Sequence, residues 1–574
     1  MKIEIKRHSL SHILALAVKQ LYPKVKFGIG PAIENGFYYD FDNLKISDSD
    51  LGKIEKKMKE LIKKDLKFEK KSISKAEAKK IFKSQPFKLD LIKELKGKIS
   101  VYTSGEFTDL CKGPHVKSTK ELNEKAFKLT KVAGAYWKGN EKNKMLTRIY
   151  GIAFETEKEL KQYLKQLEEA EKRDHRVLGQ KLGIYSFDEE VGPGLILWHP
   201  NGALLRELIR RHWIKEHLQN GYQLVETPHI GRLKLWQTSG HTGFYKENMY
   251  GPMKVEKELY QLKPMNCPFH VKIYNSQIRS YRELPFRWAE WAQVYRYEKS
   301  GVLHGLTRVR GFTQDDAHLV CTKEQFEAEL TGVVKFTRKM LADFGFKKYA
   351  VYLSVRDPKN KKKYIGDDKT WDFTEKILEK VLKANKLEYI RDVGEAKFYG
   401  PAIDIKIKDA IGREWQCSTL QLDMNLAQRF KMTYIDKKGK KQTPIMLHRT
   451  LLGGICRFIA VLIEHYEGAL PLWLSPVQAW VIPVGSSHRQ YAKQVKENLK
   501  GLRVEAKTEA ETVGKKIREG ETQKIPYLLV VGDKEMKENT VSVRSRNKDL
   551  GKMKIEKFIA KAKQEIEKKI VTRK

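Results

Sequence analysis

The segment from Lys263 to His318 constrains the fold of this chain more than any other, because its side-chain character alternates on both sides of a short turn. In the first run, FRWAEWAQVYRYE, the even-numbered positions from Trp288 to Glu298 share one face, as the two-residue period of a strand requires. The even-numbered positions from Arg308 to His318 do the same in the second run, LTRVRGFTQDDAH. The glycine-containing turn KSGVLHG separates the runs, so the sequence predicts an antiparallel hairpin.

One face of the second run carries a series of groups suited to binding. It presents two guanidiniums, a ring, an amide, a carboxylate and an imidazole: Arg308, Arg310, Phe312, Gln314, Asp316 and His318. Guanidiniums bind phosphates bidentately, a ring can stack on a base, and an amide with a carboxylate can hold an ammonium or hydroxyl group. This order indicates a substrate laid along a sheet, although a solvated strand face would show the same parity.

The charge balance indicates a polyanionic partner. Lys and Arg number 112 against 72 Asp and Glu, which gives a net charge of +40 and a pI of about 9.7, more than solubility requires. A general lysine bias is the alternative, since much of the excess lies in helical runs such as KIEKKMKELIKKDLKFEKK. With 574 residues and 41% hydrophobic content, the chain can form about three to five domains.

Cysteine usage and hydropathy favour a soluble protein of a reducing compartment. The 5 cysteines are odd in number, widely spaced and preceded by no signal peptide, so we expect no disulfide framework. No apolar run approaches the ~18 residues that span a bilayer. We therefore expect a cytoplasmic protein without a membrane-spanning segment.

Two short motifs near the N-terminal end have the spacing of metal ligands. His8 and His12 lie four residues apart in an apolar run with helical spacing, which puts both on one side of a helix. Cys111 and His115 repeat this spacing in DLCKGPHV. Either pair alone is more typical of ordinary helix histidines, but the four together suit zinc.

The last hundred residues alternate strands and helices. Strands are predicted in AWVIPVG, LRVEAKT, YLLVVGDKE and TVSVRSR, and helices in AKQVKENLKG, TVGKKIREGE and the C-terminal end. This alternation predicts a small α/β domain with a largely parallel sheet.

The hairpin and its surroundings resemble a known enzyme family. The run YRYEKSG to LHGLTRVRGFTQDDAH is similar to motif 2 of class II aminoacyl-tRNA synthetases, and PMNCP upstream is typical of threonyl-tRNA synthetases. The helix ALLRELIRRHWIKEHLQNG with the strand YQLVETP resembles motif 1, which in that family builds the dimer interface, so we expect a homodimer. The helix TLLGGICRFIAVLIEHY resembles motif 3. The resemblance extends over almost the whole chain.

The resemblance implies activation of threonine by ATP and transfer to tRNA(Thr). It places the α-phosphate at Arg296 and the outer phosphates at Arg308 and Arg457, with Mg²⁺ assisting. Glu298 would orient adenine and Phe312 would stack beneath it.

Further family positions surround the two small substrates. The resemblance assigns contacts with L-threonine and ATP to Met265, Gln314, Asp316, Tyr399, Gln416, Thr419 and Gln421. Gln416 has the opposite parity to Thr419 and Gln421, so either a bulge intervenes or the side chains face different sides of the sheet. His241 lies where the family contacts substrate, and an ordinary loop histidine is the alternative.

The resemblance also implies one zinc ion in the catalytic domain. Cys267, His318 and His448 match the family's three ligands, and three ligands with an open position describe a catalytic zinc site. If zinc takes the amino group and hydroxyl of threonine, valine loses a bond to the metal. Serine keeps that bond and lacks only a methyl group, worth about 1–3 kcal/mol, so we expect a separate hydrolytic domain.

The N-terminal segments GPAIENGFYYDFD, QPFKLD and FTDLCKGPHV are similar to the editing domain of threonyl-tRNA synthetases, which alanyl-type enzymes share. The resemblance implies hydrolysis of Ser-tRNA(Thr) without a metal, contrary to the zinc interpretation of the four-residue cluster. Its site would comprise His8, His12, Tyr39, Lys88, Asp109, Cys111 and His115, with His8 and Lys88 polarising the water. Full-length bacterial relatives carry a small ubiquitin-like domain before this point, which we expect to be missing here.

The C-terminal domain resembles the class IIa anticodon-binding domain, with a generic ligand-binding module as the alternative. Glu535 and Arg544 lie where the family reads anticodon bases, and a surface ion pair is the alternative for them. The chain departs from the family at Phe269, where glycine is usual, and at Cys456, where an acidic residue usually precedes the motif 3 arginine.

Together these segments predict an α+β multidomain protein. We expect an α+β editing domain at 1–153, a helical connector at 154–183, a class II catalytic domain on an antiparallel sheet at 184–470 and an α/β anticodon-binding domain at 471–574. A prolyl or seryl enzyme would share motifs 2 and 3 without needing this zinc trio and editing cluster. A non-enzymatic paralogue would be expected to lose the motif arginines, which are all present.

Overall fold

Two units make up the chain, and they divide inside the segment expected to be a connector. The computed structural model describes residues 2–409, 411–423, 425–546 and 548–570. The units are Met1–Glu169 and Ala170–Lys574. Helices and strands before the division are α1 (Ile3–Leu21), β1 (Lys26–Phe27), β2 (Ala32–Ile33), β3 (Gly36–Asp42), α2 (Leu51–Lys63), β4 (Glu69–Ile73), α3 (Lys75–Ile81), α4 (Pro86–Glu94), β5 (Ile99–Ser104), β6 (Phe107–Leu110), β7 (Phe127–Tyr136) and β8 (Met145–Ala153), and α5 (Glu157–Lys172) contains the division.

Helix α1 is the centre of the first unit. Its residues from Ser9 to Val18 are buried, and it packs against α2 and β3. The strands form two antiparallel sheets, one in the order β1-β3-β8-β7 with β2 paired to β3, and one in the order β4-β5-β6. The helix predicted to carry His8 and His12 is thus present, with His12 on its buried side and His8 half-buried.

The connector is two helices where the sequence predicted one. Helix α5 ends at Lys172, and a second helix, α6, spans His175–Lys181. Asp174 separates them, because its side chain accepts the backbone N–H of Arg176 and so caps the start of α6.

The larger part of the second unit follows α6 and ends at Tyr466. Its elements are β9 (Tyr185–Ser186), β10 (Leu197–Trp198), α7 (Pro200–Gln219), β11 (Gln223–Leu224), β12 (Ile230–Arg232), α8 (Leu233–Ser239), α9 (His241–Phe244), β13 (Met253–Val255), β14 (Glu258–Leu262), α10 (Cys267–Tyr274), β15 (Arg279–Ser280), β16 (Phe286–Tyr295), β17 (Gly311–Cys321), α11 (Phe326–Asp343), β18 (Tyr349–Val355), α12 (Asp368–Ala384), β19 (Ile390–Val393), β20 (Ala402–Lys408), β21 (Glu414–Asp423), α13 (Leu426–Arg429), β22 (Tyr434–Ile435), β23 (Lys441–Gln442), β24 (Ile445–Thr450) and α14 (Ile455–Tyr466).

An eight-stranded sheet, in the order β11-β16-β17-β24-β21-β20-β18-β19, lies at the centre of this part of the chain. Its central pairs are antiparallel, and only the outermost pairs at each edge are parallel. The predicted hairpin is confirmed, with Trp288 opposite His318 and Val294 opposite Phe312. The strand predicted as part of motif 1 is shorter than expected, since β11 pairs through two residues.

A buried carboxylate joins the segments that resemble motifs 1, 2 and 3. Asp315 of β17 accepts the Trp213 indole N–H of α7 at 2.6 Å and an Arg449 N–H of β24 at 3.0 Å. It also accepts the backbone N–H groups of Leu451 and Leu452, at 2.7 and 2.6 Å, in the turn before α14. Asp315 and Arg449 are both buried, so four hydrogen bonds satisfy a charge that water does not reach.

The C-terminal part has a sheet that is parallel on one side only. Its elements are β25 (Ala479–Pro483), α15 (Arg489–Asn498), β26 (Val504–Ala506), α16 (Val513–Thr522), β27 (Tyr527–Val531), α17 (Asp533–Glu538), β28 (Thr540–Ser545), β29 (Lys548–Lys554) and α18 (Ile555–Glu567). The order is β26-β25-β27-β28-β29, with the first three strands parallel and the last three antiparallel. The sequence GDKE is helical, in α17, and does not extend the preceding strand as predicted.

In the part of the chain that the structure describes, no helix has the length and hydropathy needed to cross a bilayer.

Candidate functional site

Two adjoining cavities lie along the central strands of the eight-stranded sheet. The larger encloses about 330 Å³ and the smaller about 250 Å³. Arg296, Gln314 and Thr419 line both. The other predicted site residues divide between them, with Met265, Cys267, Asp316, His318, Tyr399, Gln421 and His448 in the larger cavity and Glu298, Arg308, Phe312, Gln416 and Arg457 in the smaller. The residues that the resemblance assigned to threonine, ATP and zinc therefore come together, His241 lying just outside the cavity walls.

Three metal-ligating side chains converge in the larger cavity. Cys267 Sγ and one ring nitrogen each of His318 and His448 lie within 4.8 Å of one another. Strand register brings the histidines together, because His318 of β17 is directly opposite His448 of β24. His318 Nε2 lies 2.9 Å from His448 Nδ1, and Cys267 approaches them from the start of α10.

The remaining ring nitrogen of each of these histidines is already engaged. His448 Nε2 donates to Asp423 Oδ2 at 2.8 Å. His318 Nδ1 lies 2.8 Å from His270 Nδ1, whose other nitrogen is 2.9 Å from Glu290 Oε2. These contacts leave His448 Nδ1 and His318 Nε2 facing each other and Cys267, an arrangement typical of metal-binding histidines. Asp423, His270 and Glu290 were not predicted from the sequence as partners of the two histidines.

Burial controls protonation around the trio. It raises the pKa of the Cys267 thiol well above its usual value and lowers the pKa of His318, with His270 and His448 adding to the second effect. Burial also raises the pKa of Asp316, to which Asn266 donates at 2.8 Å. A cation among these ligands would offset the cost of a buried thiolate and would favour neutral imidazoles. The donor set fits zinc.

Polar contacts continue away from the trio. His241 Nδ1 lies 2.7 Å from Ser239 Oγ, and its Nε2 lies 3.2 Å from Met265 Sδ. Burial lowers the pKa of His241 to about 4. Tyr399 hydroxyl donates to Gln421, and burial raises its pKa well above the usual value. These side chains are neutral near pH 7 and can act as hydrogen-bond partners for a small ligand.

Three guanidiniums border the smaller cavity. Arg308 Nε donates to Glu298 Oε2 at 3.0 Å, and the Arg296 guanidinium carbon lies 5.1 Å from the centroid of the Phe312 ring. Burial lowers the pKa of Arg457, and the nearby charges of Arg296 and Arg308 lower it further. Like charges held this close favour a polyanionic ligand, because such a ligand turns mutual repulsion into attraction.

A β-bulge explains the parity of Gln416. Ile405 pairs with Ser418 and Lys406 pairs with Gln416, so the bulge leaves Cys417 unpaired. Gln416 Nε2 and Thr419 Oγ1 both donate to Asp404 Oδ1, at 2.7 and 2.8 Å. Of the two alternatives, the bulge is therefore correct, and it brings the side chains to the same side of the sheet.

The two departures from the family are accommodated by local packing. Phe269 packs edge-on against Trp236, with ring centroids 5.8 Å apart. Cys456 is buried, and burial raises its pKa to about 11. Arg206 points towards this position and donates to Thr313 Oγ1 at 2.8 Å, while its Nε has no hydrogen-bond partner among the described residues.

In the first unit, the two four-residue motifs form one cluster. One ligand atom each from His8, His12, Cys111 and His115 lies within 4.8 Å of the others. Cys111 Sγ lies 3.4 Å from His8 Nε2 and 3.2 Å from His115 Nε2. His115 stacks on Phe68 at 5.1 Å between centroids. The sequence spacing thus identified a real cluster.

An ion pair and a phenol lie beside this cluster. Lys88 and Asp109 are buried and paired. The Tyr39 hydroxyl donates to Asp109 Oδ2 at 2.6 Å and accepts from Lys88 Nζ at 3.1 Å. Since His12 Nε2 lies 3.7 Å from Asp109 Oδ2, the structure brings all seven predicted editing residues together.

Burial keeps the cluster of four neutral. It lowers the pKa of His115 to about 2 and that of His12 well below its usual value, because a protonated ring there would be desolvated and would be repelled by the neighbouring histidines and, for His12, by Lys88. It raises the pKa of Cys111 to about 11. His8 also has a lowered pKa through burial, although it remains partly exposed. Near pH 7 the cluster therefore offers neutral imidazoles and a thiol.

The two residues predicted to read the anticodon lie apart. Glu535 is in the first turn of α17, where its Oε2 accepts the backbone N–H of Gly532 at 3.1 Å. Arg544 is on β28 opposite Leu528. Its Nε is buried and has no hydrogen-bond partner in the described part of the chain. The alternative for these two residues was a surface ion pair. The structure shows no ion pair between them, and the Glu535 carboxylate caps its own helix instead.

Family models match three parts of the chain. They are described as "tRNA synthetase class II core domain (G, H, P, S and T)" at residues 251–466, "Anticodon binding domain" at 478–565, and "Threonyl and Alanyl tRNA synthetase second additional domain" at 99–150. The threonine–tRNA ligases of Sulfurihydrogenibium sp. (strain YO3AOP1) and Aquifex aeolicus are 52% and 50% identical to this chain. Both matches extend over 99% of this chain, and over 89% and 90% of the relatives. The chain belongs to the threonine–tRNA ligase family.

Solved structures agree with this assignment. The RNA binding domain of threonyl-tRNA synthetase from Cryptosporidium parvum is 37% identical, with a TM-score of 0.64, and the match covers 68% of this chain and 98% of that one. A prolyl-tRNA synthetase from the same organism is 19% identical with a TM-score of 0.53, over 69% of this chain and 75% of that one, and so shares the fold. The predictions of a threonine–tRNA ligase with a class II core, an anticodon-binding domain and an editing domain are confirmed. The prolyl, seryl and non-enzymatic alternatives are set aside.

Proposed function

We propose that threonine and ATP react in this ligase where its two cavities meet. The observation that carries the proposal is that Arg296, Gln314 and Thr419 line both cavities. Threonine in the larger and ATP in the smaller would bring a carboxylate against the α-phosphate. One carboxylate oxygen bonds to the α-phosphorus, the bond to the bridging oxygen breaks, and pyrophosphate leaves with that electron pair.

The arginines of the smaller cavity would neutralise the phosphates. Arg296 holds the α-phosphate, because it alone of the three borders both cavities. Arg308 and Arg457 bind the outer phosphates together with Mg²⁺. Arg308 is held by Glu298 and Arg457 by the Thr307 carbonyl before ATP binds. Stabilising the phosphate charges therefore needs little movement of these side chains. Glu298 orients adenine, and Phe312 stacks against it.

Zinc is the metal that we propose for the larger cavity, held by Cys267, His318 and His448. Three protein ligands are typical of catalytic zinc sites, which keep a position for substrate. Bound there, zinc would supply a Lewis acid for the amino group and hydroxyl of threonine. Asp316, Gln421 and the other predicted polar contacts would orient the same ligand, and a valine side chain would leave part of this polar surface unpaired.

Transfer to tRNA(Thr) would follow at the same place. A ribose hydroxyl at the tRNA 3′ end attacks the adenylate carbonyl, and AMP leaves. The net charge of +40 favours binding of a polyanion such as tRNA. We propose that Glu535 and Arg544 in the C-terminal domain contact the anticodon, because both lie within residues 478–565, which match the anticodon-binding family model.

Mischarged Ser-tRNA(Thr) would be hydrolysed in the first unit. Water attacks the ester carbonyl, and the tRNA hydroxyl leaves. His8 is the best group to contact this water, because it is partly exposed and its imidazole is neutral. Lys88 supplies a fixed positive charge for the oxyanion, held by Asp109 and Tyr39. His12, Cys111 and His115 shape the pocket without a metal.

We further propose a homodimer that functions in the cytoplasm. Exposed apolar side chains occur at the end of α7 and in the strands that follow, at Leu218, Leu224, Ile230 and Leu259. These segments surround the motif 1 region, so a second copy of the chain would cover them. Light scattering after size exclusion would measure a mass near twice 66.8 kDa if this is correct.

ATP–pyrophosphate exchange with threonine, serine, proline and valine tests the catalytic assignment. We expect exchange with threonine, weaker exchange with serine, and none with proline or valine. Arg296→Ala should abolish exchange, because the α-phosphate loses its cation. Arg282→Ala, which removes an exposed arginine outside both cavities, is the matched control. Full exchange by Arg296→Ala would contradict the assignment.

A further inference from the structure

The loop between the two hairpin strands rests on a buried histidine of the connector. His175 begins α6 and is fully buried. The backbone N–H of Leu306 donates to its Nε2 at 3.0 Å. On the other side of the ring, His175 Nδ1 lies 2.6 Å from Glu464 Oε1 in α14. One imidazole therefore joins the connector, the motif 2 loop and the motif 3 helix.

The partners of this imidazole determine its tautomer. A backbone N–H can only donate, so His175 Nε2 carries no proton, and an ionised carboxylate can only accept, so Nδ1 carries one. Glu464 is held in turn, since its Oε1 also accepts the backbone N–H of His175 and its other oxygen pairs with Arg413. The ring is thus fixed at both ends and cannot turn without losing a buried hydrogen bond.

The loop is shaped to meet this ring. Gly305 has a φ of +46°, and a Cβ there would lie 2.2 Å from His175 Nε2. A side chain at 305 would therefore strain the backbone and push the ring away. The N–H groups of Thr307 and Arg308 both donate to the carbonyl of His304, at 3.0 and 3.2 Å, which closes the turn.

The same turn holds two of the arginines proposed to bind ATP. Arg308 is its last residue, and Arg457 Nε donates to the carbonyl of Thr307 at 3.1 Å. The contact of His175 with Leu306 therefore lies one residue from the carbonyl that orients Arg457 and two from Arg308 itself. Removing the acceptor at His175 would free the turn and with it both guanidiniums.

We propose that His175 is a positioning residue for ATP, acting through the turn at residues 304–308. The inference rests on the proposed roles of Arg308 and Arg457 in binding the outer phosphates. His175 lines neither cavity. Its effect should fall on ATP and leave threonine binding unchanged, because the threonine cavity is lined by other elements.

Two amide substitutions separate the two ends of the ring. In His175→Asn the amide reaches the position of Nδ1, so the donor to Glu464 is kept and the acceptor for Leu306 is lost. In His175→Gln the amide oxygen reaches the position of Nε2, so the acceptor is kept. We expect His175→Asn to raise the KM for ATP in threonine-dependent exchange about tenfold, and His175→Gln to stay within about twofold of the wild type.

Controls distinguish positioning from a structural role. Val177→Asn changes an exposed residue of the same helix and should leave both KM values unchanged. Gly305→Ala disturbs the contact from the loop side with His175 intact, so it should raise the KM for ATP as His175→Asn does. This variant also keeps the test informative if His175→Asn does not fold, as thermal unfolding would show.

The outcomes are decisive in either direction. An increase in the KM for ATP with a constant KM for threonine in His175→Asn and Gly305→Ala, and not in His175→Gln, supports the inference. Equal effects of His175→Asn and His175→Gln, or lowered melting temperatures with unchanged KM for ATP, would overturn it. A wild-type protein without threonine-dependent exchange would instead contradict the proposed function.

Discussion

Replacing Asp423 with asparagine should weaken zinc binding without touching a metal ligand. Asp423 Oδ2 accepts the Nε2–H of His448 at 2.8 Å, and its Oδ1 accepts the backbone N–H groups of Asn425 and Leu426 at 2.7 and 2.9 Å. Asparagine has nearly the same shape, but one of its two ends is a donor. The substitution therefore changes hydrogen-bond direction and leaves packing intact.

The expected magnitude follows from the two orientations of the new amide. With its NH₂ towards the backbone, two buried N–H groups would lose their acceptor, at about 1–3 kcal/mol each. With its oxygen towards the backbone, the NH₂ faces His448 Nε2, and the favoured tautomer then carries its proton on Nδ1, the nitrogen proposed to bind zinc. The second orientation costs less free energy and should therefore be the one adopted. Zinc binding would then have to move the His448 proton from Nδ1 to Nε2, where the asparagine NH₂ opposes it. We expect zinc affinity to fall about 10–100-fold, or ~1.4–2.7 kcal/mol.

Competition with a chromogenic chelator measures this change. The matched control is Asp436→Asn, because Asp436 also accepts backbone N–H groups through one carboxylate oxygen, from Lys438 and Lys440, but lies outside both cavities. Thermal unfolding of the metal-free variants shows whether the folds are comparable. Wild-type zinc affinity in Asp423→Asn would refute the tautomer argument, and an equal loss in Asp436→Asn would show that the effect is not specific to His448.

Three further variants test the remaining sites. Cys267→Ala should lose zinc and threonine activation together, and undiminished zinc and activity would exclude this residue as a ligand. Alanine at both Glu535 and Arg544 should lower aminoacylation of tRNA(Thr) severely while exchange stays near wild type; a parallel loss of exchange would indicate misfolding instead. The double variant His8→Ala, His12→Ala should activate threonine normally and accumulate Ser-tRNA(Thr). Chelators should leave hydrolysis of preformed Ser-tRNA(Thr) intact, and inhibition by a chelator would identify the cluster as a metal site.

Local periodicity predicted the hairpin, because strand parity is a property of the chain itself. The even-numbered face from Trp288 onwards is found opposite the even-numbered face that ends at His318. The bulge at Cys417 was one of two alternatives, and parity alone could not choose between them. The support of His448 by Asp423 was not predictable in this way, because it depends on how β21 and β24 align across the sheet.

The errors in the C-terminal domain have local causes. The signal for α17 was present in the sequence, since Glu535 lies three residues after Gly532 and its carboxylate accepts the backbone N–H of that N-cap glycine. The sheet was expected to be largely parallel because strands and helices alternate as far as β28. Beyond it the loop between β28 and β29 is too short for a crossover, so the strands must be antiparallel. The break in the connector likewise follows from the cap at Asp174.

The carboxylate of Asp315 makes the catalytic sheet and its flanking helices one cooperative unit. It holds an indole 102 residues earlier and a guanidinium 134 residues later in the chain, so its hydrogen bonds form only after two large loops have closed. Leaving this charge buried with some partners missing is costly, and partial opening is therefore disfavoured relative to complete unfolding. The amide protons of Leu451 and Leu452 should accordingly exchange with solvent only through global unfolding of the unit. The strand that carries the predicted substrate contacts is therefore held by hydrogen bonds to Asp315 that are lost together, when the whole unit unfolds.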